Sequence, residues 1–134
     1  MILKTSKARF SITQKDLSKA FKGPEYKEIE FIFKNTTFSQ ELELMDLYTK
    51  IQEVSKKEND SEILVDKKGI ALMLELNKFV LTNCLVDIKG FKDEEGNELS
   101  LTEDFINDLT ELNFSFAQAV VEAFLDLKQS DKKK

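Results

Sequence analysis

The sequence predicts a mainly helical α+β domain: a short N-terminal β-strand pair followed by about four to five helices. Three observations carry this expectation. Residues 28–34, "EIEFIFK", alternate apolar and polar side chains with the period of a strand that has one buried face. From Phe38 onward, apolar residues recur instead at three- and four-residue spacing. A chain of 134 residues, 41% hydrophobic and 34% charged, is long enough for one core and too short for two ordinary domains.

The organisation along the chain follows. Residues 1–26 read as an N-terminal arm of strand and short helix, 27–128 as the helical domain, and 129–134 as a lysine-rich tail. The strand at 28–34 needs a partner, and "ARFSI", residues 8–12, is the best match. Between them "TQKDLSKAFKGPEY" supplies a short helix and a turn closed by Gly23-Pro24.

The first long helix is expected from Phe38 to about Lys56, with Thr36, Thr37 or Ser39 as its cap and Glu41 and Glu43 in its early turns. Leu44, Leu47, Tyr48, Ile51 and Val54 form its core stripe. Phe38, Leu42 and Met45 form a second apolar line, to be covered either by the N-terminal strands or by a partner. "KKENDSE" reads as a polar linker, and "GIALMLELNKFVLTNCLV" as a central helix, apolar except for a strip of Ala71, Glu75, Lys78 and Thr82. Thr102 should cap a helix carrying Phe105, Ile106, Leu109 and Leu112, interrupted at "ELNFS". Ser115 should cap the last helix, whose core stripe is Phe116, Ala119, Val120, Ala123, Phe124 and Leu127. Val121 and Leu125 fall outside that arc and join Phe38, Leu42 and Met45 as candidate partner-binding residues.

Composition narrows the chemistry. The chain has no histidine and a single cysteine, Cys84, inside an apolar run, so no His/Cys zinc set, Ser-His pair or disulfide can be built within it. Its four glycines are scattered and form no phosphate cradle. No catalytic residue, cofactor or metal ligand is expected, and an enzyme is not. A net charge of −5 with one arginine argues against nucleic acid as a partner. No apolar run reaches the roughly 18 residues of a membrane span, so a cytoplasmic location is expected.

The acidic stretch "DIKGFKDEEGNELSLTEDF", residues 87–105, invites comparison with a calcium loop. Setting Gly96 at the sixth loop position places Phe91 first and Thr102 twelfth, where carboxylates are required. The stretch therefore reads as a Gly-Asn turn solvated by its acids.

"LVDIKGFKDEEGNELSLTEDFINDL" followed by "NFSFAQAVVEAF" resembles the C-terminal half of the tail assembly chaperones of long-tailed bacteriophages. "EIEFIFKNTTFSQELELMDLYTKI" is similar to their N-terminal strand running into a first long helix. The resemblance spans roughly residues 27–127 and implies a non-enzymatic protein that binds the tape measure protein and recruits tail tube subunits in the host cytoplasm. It also implies a longer product made by ribosomal frameshifting, for which the lysines of "SDKKK" permit an A-rich slippery site. The partners would be proteins, with self-association open, and neither nucleic acid nor membrane. The alternative is a small structural or regulatory protein-binding helical domain of a bacterium or mobile element.

Overall fold

A computed structural model describes residues 1–5, 7–56 and 62–132. The polar linker falls mostly, and the last two lysines fall entirely, outside the described residues. In chain order the elements are β1 (Arg9–Thr13), β2 (Glu30–Lys34), α1 (Phe38–Lys56), α2 (Glu62–Cys84), β3 (Leu85–Lys89), α3 (Glu103–Leu112) and α4 (Phe114–Lys132). Three 3₁₀ turns, the last at Pro24–Tyr26, connect β1 to β2.

The alternation in "EIEFIFK" is resolved as expected. β2 pairs antiparallel with β1, setting Ile12 opposite Phe31 and Phe10 opposite Phe33. Phe31, Phe33 and Ile12 have no exposed surface, so the first segment contributes a strand and a core residue to the main fold. The expected strand pair is, however, a three-stranded sheet in the order β1-β2-β3. α2 stops at Cys84, and the next five residues, expected partly as helix, pair with β2. A bulge explains their inward-facing set: Ile32 faces Asp87 but Phe33 faces Leu85, leaving Val86 as the extra residue. An unbroken two-residue period would have aimed Leu85 outward, whereas here both Leu85 and Ile88 are buried.

Gly90 ends β3 with φ +83°, a conformation that side chains other than glycine rarely adopt. It also passes close to the chain before β2, where a Cβ would lie 2.3 Å from the Glu28 carbonyl oxygen. The acidic stretch that follows is a turn, as expected. The Asp93 carboxylate accepts hydrogen bonds from the backbone N–H groups of Glu95 and Asn97, both at 2.9 Å, while Gly96 takes φ +87°. These donors, the Asn97 N–H foremost, hold the Asp93 carboxyl below the usual aspartate range. Leu99 N–H closes the loop on the Phe91 carbonyl at 2.8 Å.

Thr102 caps α3 as expected, its Oγ1 accepting the Phe105 N–H at 3.1 Å, and Glu103 and Asp104 occupy the favourable first turn. α4 begins two residues earlier than expected. Only Asn113 separates it from α3, and the Ala117 N–H donates to the Asn113 carbonyl, so Ser115 lies inside the first turn and is not the cap.

The core joins the inner face of the sheet to α2, α3 and α4. Phe33 stacks on Phe124 with ring centres 4.2 Å apart, and Phe31 reaches Phe116 at 5.9 Å. Cys84 is fully buried here, which pushes its thiol up to about 11 and keeps it neutral. Among the described residues, no helix is long and apolar enough to cross a membrane.

Candidate functional site

The residue line left open by the sequence, Phe38, Leu42 and Met45, lies on the outside of α1. Its members are 75%, 50% and 62% exposed. The other line of the same helix is buried at Leu44 and Leu47 and half-buried at Ile51 and Val54. Spacings of four and three residues put Phe38, Leu42 and Met45 one above another on the helix surface. The N-terminal strands do not cover them: β1 lies along β2 and α4, and α1 packs chiefly on α2.

α1 forms where it does because Thr37 caps it. Its Oγ1 accepts the Gln40 N–H at 3.2 Å, and the Gln40 side chain accepts the Thr37 N–H at 2.9 Å, a reciprocal pair that satisfies two donors of the first turn. The same end is tied to α4. Lys128 is 8% exposed, and its ammonium group pairs with Glu41 at 3.0 Å and donates to the Thr36 hydroxyl. A lysine on the last helix thus fixes the position of the first. This long-range pair has no local sequence signal, because its partners are 87 residues apart.

Between the two helices runs a groove of about 200 Å³ lined by Met45, Tyr48 and Leu125, with Glu41 and Lys128 among its other walls. Tyr48 was expected on the core stripe but is 42% exposed. Its phenol is pushed up from the ordinary tyrosine range by partial burial first, then by Asp126 and Glu122 across the groove.

Of the five candidate partner-binding residues, the structure brings Met45 and Leu125 to one groove and leaves Phe38 and Leu42 beside it on α1. Val121 is a correction. It is 1% exposed, because α4 is packed against α2, α3 and β1 together, so a residue outside its main stripe still faces the interior. Leu127 departs in the opposite sense: expected in the core, it is exposed. The missed members of the surface are Tyr48 and the Glu41–Lys128 tie. Tyr48 could have been found from its place on the helical wheel, at the boundary between the two apolar lines of α1.

The surface offers an apolar ridge two helical turns long, continued by a shallow groove with one half-buried ion pair. Among the described residues, no group of His, Cys, Asp and Glu side chains is placed to hold a metal ion. Such a surface can hold an apolar side of another polypeptide, chiefly by the hydrophobic effect. Comparison with protein-family models, with curated proteins and with solved structures finds no match for the chain.

Proposed function

We propose that this chain is a non-enzymatic protein-binding module that acts as a tail assembly chaperone of a long-tailed phage. In that role it holds the tape measure protein in a soluble form and brings tail tube subunits to it in the host cytoplasm. The observation that supports this reading is the uncovered apolar line Phe38, Leu42 and Met45, continuous with the groove at Leu125. A helix that covers one apolar line and leaves another open resembles the helix-and-groove surfaces that take up amphipathic segments, which a tape measure protein would present in number. The resemblance in residues 27–127 supplies the particular partner, and the lysine-rich end would be the point at which a frameshifted product continues.

Co-expression with a candidate tape measure protein tests the proposal. The wild-type protein should keep that partner in the soluble fraction and co-purify with it. A Phe38→Gln, Leu42→Gln, Met45→Gln variant should fold and lose the complex. A tape measure protein that stays insoluble with wild-type chain would overturn the chaperone role. A complex that survives in the folded triple variant would remove this surface from it.

A further inference from the structure

A second concavity, of about 550 Å³, lies apart from the α1 ridge, between the turn Pro24–Tyr26, the segment after β3 and helix α3. Its volume is in the range of small-ligand and side-chain pockets. Its wall is aromatic. Tyr26 packs on Phe116 with ring centres 5.3 Å apart, and Phe91 sits 5.3 Å from Phe105 and 6.5 Å from Phe116. Phe105 and Phe116 are rooted in the core, while Tyr26 and Phe91 are half-buried and present ring surface to the opening.

Its charge is one-sided. Glu25, Asp104 and Asp108 line the cleft, all three exposed, and none of them makes an ion pair with a described residue. Lys92 is the one base among the lining residues. Asp93, close in sequence, is committed to the backbone of its own turn.

We propose that this cleft binds an arginine side chain presented by a partner polypeptide. The chemistry of the walls selects that occupant. A purely apolar side chain would cover the rings but would take water from three carboxylates without replacing it. An anion would meet like charge. A guanidinium group is planar and weakly hydrated, lies flat on aromatic rings, and donates in a fork that carboxylates accept. Its aliphatic stem adds apolar contact with the ring wall. The chain's own arginine, Arg9, lies on β1 and does not line the cleft, so the guanidinium comes from another molecule. The assignment rests on the cleft alone and is independent of the α1 surface and of the chaperone role.

Titration of isotope-labelled protein with a blocked pentapeptide, Gly-Ala-Arg-Ala-Gly, followed by amide chemical shifts, gives the test. The same peptide with citrulline replacing arginine is the control, since citrulline keeps the shape and removes the charge. The arginine peptide should produce saturable shifts at Tyr26, Phe91 and Phe105, at least ten-fold tighter than the citrulline peptide and weaker in 0.5 M salt. Asp104→Asn with Asp108→Asn should weaken the arginine peptide at least five-fold and leave the citrulline peptide unchanged. Because Asp104 also sits in the first turn of α3, Glu25→Gln, outside any α-helix, provides a second variant with the same expected direction. Equal binding of the two peptides, shifts confined to other surfaces, or an acid-to-amide series without effect would each overturn the proposal.

Discussion

Helices α1 and α4 carry the same sequence feature, a pair or trio of apolar residues beside the main apolar stripe, and the fold treats the two differently. On α1 the additional line, Phe38, Leu42 and Met45, stays in solvent. On α4 Val121 is buried to 1% exposure, and Leu125 is half-buried at the α1 groove. The cause is position in the layers. α4 has α2, α3 and β1 around it, whereas α1 lies on the outside of α2 and is held at its first turn by Lys128. An apolar residue beyond the stripe therefore reports a helix with two apolar sides, and only the neighbours decide whether the second side is core or surface.

The largest expected effect comes from exchanging charge for methyl groups on the two helices. Val121→Asp places an unpaired carboxylate where no water reaches, and should cost more than about 4 kcal/mol, enough to abolish cooperative unfolding in urea. Leu42→Asp on the outer line should shift stability by no more than about 1 kcal/mol. A Val121→Asp protein with a wild-type midpoint would mean that this side of α4 is open, and the contrast between the helices would disappear.

The same distinction between covered and open positions applies to the backbone, with an intermediate effect. Gly90 and Gly96 have nearly equal φ, +83° and +87°, but a Cβ at Gly90 would press on the Glu28 carbonyl, whereas at Gly96 nothing lies within 4 Å. Gly96→Ala should cost about 1 kcal/mol, the penalty of the left-handed conformation alone. Gly90→Ala adds a collision between two main-chain segments and should cost about 3 kcal/mol or more. Thermal melts of the two variants measure the difference, and equal losses would show that the β3 end can move away from Glu28.

Much of the fold was legible because its signals are local. The alternation at 28–34, the Thr102 cap and the Gly-Asn turn each need only a few adjacent residues, and all three stand in the structure. β3 was not legible. "LTNCLVDIK" runs from helix to strand without a glycine or proline at the junction, and its last residues become a strand only because Phe31 and Phe33 lie opposite them. The start of α2 at Glu62 was not legible because Asp66, Lys67, Lys68 and Gly69 separate its first apolar residues, Ile63, Leu64 and Val65, from the long apolar run that begins at Ile70. Leu112 and Leu127, expected in the core, lie at or near helix ends and outside it, where periodicity continues but neighbours do not. The α1 ridge was half legible: spacing identified its residues, while their exposure depended on where β1 pairs. The aromatic cleft had no sequence signal, because Tyr26, Phe91, Phe105 and Phe116 come from four separated segments.

The smallest expected change in stability is also the one that separates surface from core most directly. Phe38, Leu42 and Met45 are all at least half exposed, so replacing them removes little buried apolar area. Glutamine is the suitable substitute, since it is a good helix former and keeps α1 intact while making the ridge polar. The triple variant Phe38→Gln, Leu42→Gln, Met45→Gln should therefore unfold in urea within about 1 kcal/mol of wild type and with the same denaturant dependence. Binding of a dye that reports exposed apolar surface should fall at the same time, because Phe38, Leu42 and Met45 form a continuous exposed apolar line on α1. A loss of about 3 kcal/mol or more would place the line in the core and return it to the category of Val121. Unchanged stability with unchanged dye binding would mean that the ridge is not an accessible apolar surface, and the difference between α1 and α4 would then lie in packing alone, without a consequence for what the protein binds.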